Sequence, residues 1–155
     1  MATYDSRSSD AAPWEHRTTT GWQDAVLLLA RVLIGAIFVQ SGFGKLTNLT
    51  GFATGLEGMG VPMPYLAGII GACVEFFGGL AIVLGAWTWL AAILIVGFTV
   101  AASFLAHRFW DVPAEQQRMQ NIQFMKNMAI IGGLLALAVA GPGRFSVDRF
   151  LRRRL

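Results

Sequence analysis

The chain has one cysteine, Cys73, in 155 residues, which excludes an internal disulfide and any multi-cysteine zinc or iron–sulfur site. Its two histidines, His16 and His107, lie far apart, so no metal site is expected. Charge is scarce as well: 14% of residues are charged, against roughly 25% in soluble domains. With 55% apolar residues and a mean hydropathy of +0.56, a water-soluble monomer is excluded and lipid is the expected solvent. No catalytic triad, phosphate-binding loop, paired-carboxylate constellation, flavin, haem or iron–sulfur motif is present, so no catalytic residue is assigned and no intrinsic cofactor is expected. What the chain has in quantity is glycine, 18 residues, which lets membrane helices approach closely.

Residues 1–21 are polar and aperiodic, too poor in apolar surface to offset the entropy of ordering, and are read as a disordered tail. They are also too polar for a signal peptide. Four apolar segments follow at 25–43, 66–85, 87–106 and 122–141, each near the ~20 residues that cross a ~30 Å hydrocarbon core. They must be helices, because lipid leaves an open strand's backbone unsatisfied. The expected fold is therefore an all-α integral membrane four-helix bundle over 22–143. The tight connection at 85–87 forces its second and third helices into an antiparallel hairpin. In the first outer loop, Phe52, Leu56 and Met59 share a helical face, predicting a short interfacial helix, which Gly60-Val61-Pro62-Met63-Pro64 ends. Trp87, Trp89, Phe109 and Trp110 read as anchors at the membrane surface.

The net charge of +3 and pI near 9.6 do not point to nucleic acid, since no reader motif accompanies them. The cations collect in Arg144, Arg149, Arg152, Arg153 and Arg154, a basic tail at 144–155 suited to an anionic lipid surface. With Arg7 and Arg17 they outnumber Lys45, Arg108 and Arg118 on the opposite side, so both termini are expected in the cytoplasm.

Three ionisable residues interrupt the spans: Arg31, Glu75 and Lys126. A charge at the bilayer centre costs about 2.5–3.5 kcal/mol on insertion scales, and such residues are functional candidates by default. Counting the rise per residue puts Arg31 roughly 5 Å to the inner side of its span's middle, Glu75 near the middle and Lys126 roughly 8 Å to the outer side. That spacing predicts an Arg31–Glu75 ion pair and leaves Lys126 either to snorkel outward or to face an anionic ligand. Arg31, Gly35, Phe38, Gly42 and Lys45 form one helical stripe; Gly68, Gly71, Glu75, Gly79 and Ile82 form another. Charge and small-residue packing seam coincide on both. Asn127 and Gln123 add hydrogen-bonding groups beside Lys126, and Thr99, Ser103 and His107 make a polar stripe on the third span. Buried ion pairs also fix registry without touching any ligand, so a structural role for these charges stays open beside a ligand or proton site.

Leu29-Ala30-Arg31 with Gly35, Phe38, Gly42 and Lys45, then Gly71, Glu75, Gly78-Gly79 and Gly85, and finally Phe124-Lys126-Asn127 with Gly132-Gly133, resembles the DoxX family of small four-helix bacterial membrane proteins. The resemblance covers about residues 25–141 and implies a bacterial inner membrane. It also implies a link to membrane redox chemistry, because the family is named for a subunit of a thiosulfate:quinone oxidoreductase and other relatives are tied to complexes handling thiols and oxidants. The residues that match the family pattern are Arg31, Lys45, Glu75, Lys126 and Asn127; local chemistry adds Gln40 and His107 as candidates.

Three functions remain open on this reading. The first is binding of a quinone or small sulfur anion between the helices, with a partner oxidoreductase subunit or a homo-oligomer supplying what the chain lacks. The second is a non-catalytic membrane anchor or assembly subunit, for which the absence of a large soluble domain argues. The third is a small anion or proton transporter, consistent with intramembrane charge, although no inverted repeat is visible.

Overall fold

The computed structural model describes residues 21–152; the tail expected at 1–21 therefore lies outside the described residues except for Gly21. Six helices follow in order: α1 (Gly21–Thr47), α2 (Leu49–Gly58), α3 (Pro64–Leu84), α4 (Thr88–Ala106), α5 (Ala114–Ala140) and α6 (Val147–Arg152), with a 3-10 turn at Phe109–Asp111 before α5. Four of them, α1, α3, α4 and α5, are long and apolar enough to cross a membrane. The described chain is all-helical. α1 and α5 exceed their expected spans, α1 by running on to Thr47 and α5 by starting at Ala114.

Glycine sets the tightest crossing. On the first helix, Gly35 lies so close to Gly79 and Val83 that a Cβ there would stand 2.8 Å from the Gly79 carbonyl, and one on Gly42 would stand 2.5 Å from the Phe76 nitrogen. These contacts lock α1 antiparallel to α3 in one register, because only hydrogen atoms fit between the backbones. On its other side α3 meets α4 where Gly78 faces Ile95 and Gly71 faces the Phe98 ring. Asn127 of α5 donates to the Ser103 hydroxyl of α4, and Gly133 of α5 comes up to Ile34 of α1, which closes the ring of four. Between the long helices Phe38, Ile82, Ala91, Ala92, Ile95, Leu134 and Leu137 form the core. Many other large apolar side chains point outward, Leu33, Phe77 and Val139 among them, as expected where lipid is the solvent.

The two ends of the bundle differ. At one, which carries the α3–α4 turn and both termini of the described chain, the segment after α5 folds back across the helices. Asp148 there accepts the backbone N–H groups of Trp87 (2.7 Å) and Thr88 (3.0 Å) as well as the Thr88 hydroxyl. It thus caps α4 from sixty residues away and places a negative charge at that helix's positive end. Trp87 needs the help, since it holds a left-handed φ of 43°, a conformation that costs a bulky residue stability. The basic stretch expected at 144–155 is therefore docked through 148 and carries α6. At the other end, α2 and the 107–113 connection cover the bundle. The short helix expected in the first connection is α2, and its Leu49, Phe52 and Leu56 gather over Gly68 of α3.

Candidate functional site

Arg31 and Glu75 do not meet. The glycine contacts place Arg31 level with Gly85, ten residues up α3 from Glu75 and so about 15 Å away along the helix. Centring both spans on one plane gives the wrong register, because hydropathy marks span limits to within a turn, whereas close backbone contact fixes height to the residue. Arg31 is 1% exposed and donates from Nη1 to the Pro142 carbonyl (2.8 Å) and from Nη2 to the Phe145 carbonyl, while its buried Nε has no partner among the described residues. Gly85 makes room for it: φ there is +67°, and a Cβ would fall 2.0 Å from Nη1. About two turns earlier on α1 the buried Asp24 accepts the Arg144 N–H at 2.8 Å, with the Arg144 guanidinium 4.0 Å from its second oxygen. Arg31 thus belongs to the clamp on the C-terminal segment.

The partner of Glu75 is Lys45. Because α1 continues past Phe43 to Thr47, Lys45 lies on the helix and turns inward, where it forms an ion pair with Glu75 and donates to the Ser41 hydroxyl at 3.1 Å. Ser41, 3.3 Å from both carboxylate oxygens, donates in turn to Glu75. The ammonium also sits 5.0 Å from the Phe52 ring centre and 5.5 Å from that of Phe98, within cation–π range. Carboxylate, hydroxyl and two aromatic faces therefore surround one cation. Glu75 is 5% exposed, and the Lys45 side chain retains 25% exposure, toward a cavity.

That cavity, about 570 Å³ in volume, lies between α1, α3, α4 and α5 under the roof of α2. Phe38, Phe52, Leu56, Ile70, Phe98, Leu105 and Ile130 make most of its wall. Its polar groups are Ser41, Lys45 and Glu75 on the α1–α3 side, with Thr99, His107 and Asn127 on the α4–α5 side. The latter two are held in place: His107 Nδ1 lies 2.9 Å from the Gln120 side-chain oxygen, an acceptor to which it donates, and the Asn127 amide donates to Ser103, whose hydroxyl donates to the Thr99 carbonyl at 2.6 Å. A partly open, largely apolar space of this size with a few convergent polar groups has the character of a small-molecule site.

The structure therefore brings together Lys45, Glu75, His107 and Asn127 of the sequence candidates and leaves three elsewhere. Arg31 is in the clamp. Gln40 is exposed on the outer face of α1. Lys126 is exposed and donates to Gln123 one turn back at 2.6 Å, a local contact on the outward face of α5 outside the cavity wall. Sequence reasoning missed Ser41, Phe52 and Phe98 as cavity groups and Asp24 and Asp148 as clamp groups. Ser41 had a signal, being one turn before Lys45 on the same stripe; Phe98 had none. Among the described residues no three His, Cys, Asp or Glu side chains gather as a metal site.

The DoxX family model matches residues 26–108. Inner membrane protein YqjF of Escherichia coli (strain K12) is 39% identical over 132 residues, 85% of this chain and 96% of its own. Inner membrane protein YphA of the same organism is 36% identical over 124 residues, 80% of this chain and 89% of its own. A membrane protein of Mycobacterium tuberculosis is 27% identical over 134 residues, 83% of this chain and 82% of its own. No solved structure matches. With the family match over more than half its length and two inner-membrane relatives aligned almost end to end, the chain belongs to the DoxX family.

Proposed function

We propose that this DoxX-family inner-membrane protein binds a quinone in the cavity between its helices and supports membrane redox chemistry beside a partner oxidoreductase subunit. The observation that carries the reading is an apolar space of about 570 Å³ whose polar groups stand on two walls. A quinone ring needs an apolar slot with hydrogen-bond donors for its carbonyl oxygens. The Lys45 ammonium and the Asn127 amide are such donors, and the Phe52 and Phe98 faces suit a flat ring. A bound quinone would accept two electrons and two protons on reduction and give them up on oxidation; this chain's part would be to hold the ring, exclude water and present the Lys45 ammonium, the Asn127 amide and the His107 ring as hydrogen-bonding groups. A sulfur anion suits the cavity less well, because Glu75 already neutralises Lys45 and Lys126 lies outside. The packed core on the terminal side of the cavity favours a closed binding pocket over a passage for ions.

Titration of the protein in lipid nanodiscs with ubiquinone and menaquinone analogues tests the reading. Saturable binding is expected, weakened about fivefold to tenfold in Lys45→Met and in Asn127→Leu, the worth of one hydrogen bond each, and unchanged in Lys126→Ala. Equal affinity in wild type and both cavity variants would refute it, and absence of binding altogether would leave the anchor role as the better account.

From the cation count we further propose that both termini face the cytoplasm. A fluorescent protein fused after Leu155 is then expected to light up and a periplasm-dependent phosphatase fused there to stay inactive; the reverse pattern overturns the orientation.

A further inference from the structure

The cavity wall is breached on the lipid side. Gly78 against Ile95 and Gly71 against Phe98 fix the antiparallel register of α3 and α4, which sets Ile70 opposite Ala101 and Ala67 opposite Leu105. All four line the cavity, yet Ile70 is 55% exposed and Leu105 43% exposed, and Ala101 is exposed as well. A side chain that both lines a cavity and faces outward marks an opening, and this one lies between two helices long and apolar enough to cross a membrane, reaching from their ends at Ala67 and Leu105 to about a turn inside at Ile70 and Ala101. Elsewhere the exposed wall is Ile37 of α1 and Met59 at the end of α2, each a single residue; at the α3–α4 seam both helices contribute. Glu75 lies little more than one turn deeper than Ile70, about 7.5 Å along α3. Polar groups therefore stand at the inner end of the space and an apolar slit at its outer side.

We propose that the α3–α4 seam at Ile70, Ala101 and Leu105 is a portal through which a hydrocarbon tail runs from the cavity into the bilayer, so that the ligand is a tailed amphiphile that enters from the membrane. This rests on the reading of the cavity as a quinone site and narrows it to ring compounds bearing a long apolar chain. The tail stays in hydrocarbon throughout and the head exchanges lipid surroundings for the donors around Lys45. Ala101 is the residue that keeps the slit open, because a larger side chain there would fill it without touching Lys45, Glu75 or Asn127.

The test compares two probes in nanodiscs, 2,3-dimethoxy-5-methyl-1,4-benzoquinone and the same ring carrying a decyl chain, with affinities expressed per lipid so that partitioning cancels between variants. Ala101→Phe is expected to weaken the decyl compound about tenfold, the cost of forcing bulk into an occupied space, while the tailless ring stays within about twofold. Ala101→Leu gives a smaller change in the same direction and serves if the larger side chain disturbs folding. Leu94→Phe, the same kind of bulk on an exposed face of α4 outside the cavity wall, changes neither. The portal is refuted if Ala101→Phe leaves the decyl compound unaffected while wild type binds both probes, or if it weakens both equally. If wild type binds neither probe, the quinone reading falls first and the portal with it.

Discussion

At the scale of single residues, each buried charge has a different task. Arg31 holds two carbonyls of a distant segment with one planar fork, a geometry the point charge of lysine cannot reproduce. Arg31→Lys is therefore expected to cost about 1.5–3 kcal/mol, the worth of a hydrogen bond to a charged group, read as a lowered thermal midpoint in mild detergent. The exchange Arg31→Glu with Glu75→Arg is expected not to rescue either single change, with a coupling below about 0.5 kcal/mol, as for separated sites; a rescue would bring the two side chains back together. Lys45 and Glu75 are the true pair. Removing the carboxylate alone strands an ammonium inside the bundle, a loss of the kind that destabilises by about 3–5 kcal/mol in dry interiors, reduced here because Lys45 opens to the cavity. The sequence made Glu75 legible as a buried charge but not its partner, since Lys45 falls two residues beyond the apolar run and counts there as a loop cation.

At the scale of elements, the glycine stripes decide. Of the stripe Arg31, Gly35, Phe38, Gly42 and Lys45 the first four are buried and Lys45 partly so, and Gly68, Gly71, Glu75, Gly79 and Ile82 are all buried, so the inward faces of α1 and α3 were readable from spacing alone. Their relative height was not. It follows from which backbone atoms lie against Gly35 and Gly42, a three-dimensional fact with no counterpart in hydropathy. The same limit hid the position of α2: spacing gave Phe52, Leu56 and Met59 one face, and nothing in that spacing says that this face roofs a cavity. Gly42→Leu should force α1 from α3 and cost at least about 1–3 kcal/mol, the range for overfilled packing. Gly97→Ala, where a Cβ meets nothing within 4 Å, should stay within about 0.5 kcal/mol, as surface changes do. Comparable losses at both positions, measured by unfolding in detergent, would mean that the crossing is not held by close backbone approach.

At the scale of the whole molecule, the two ends of the bundle are built for different purposes. One end is packed and clamped, and the other holds a cavity under a short helix. Ending the chain after Gly141 removes both carbonyl acceptors of Arg31 and the cap on α4 together. The truncated protein is expected to lose most of its membrane-inserted abundance, measured by quantitative blotting, more severely than Arg31→Lys. Retention of wild-type abundance would show the clamp to be dispensable. The four spans and their hairpin were legible as apolar runs. The clamp was not, because Asp24 and Asp148 look like ordinary end-of-helix acids until the chain has folded back on itself.

The clamp also orders events during synthesis. Arg31 leaves the ribosome in the first span, more than a hundred residues before the carbonyls that will satisfy it, so the first span enters the membrane with its guanidinium still without those acceptors. The bundle can be sealed only after Pro142, Phe145 and Asp148 have emerged, which makes the arrival of that segment, rather than insertion of the fourth span, the moment at which this protein matures.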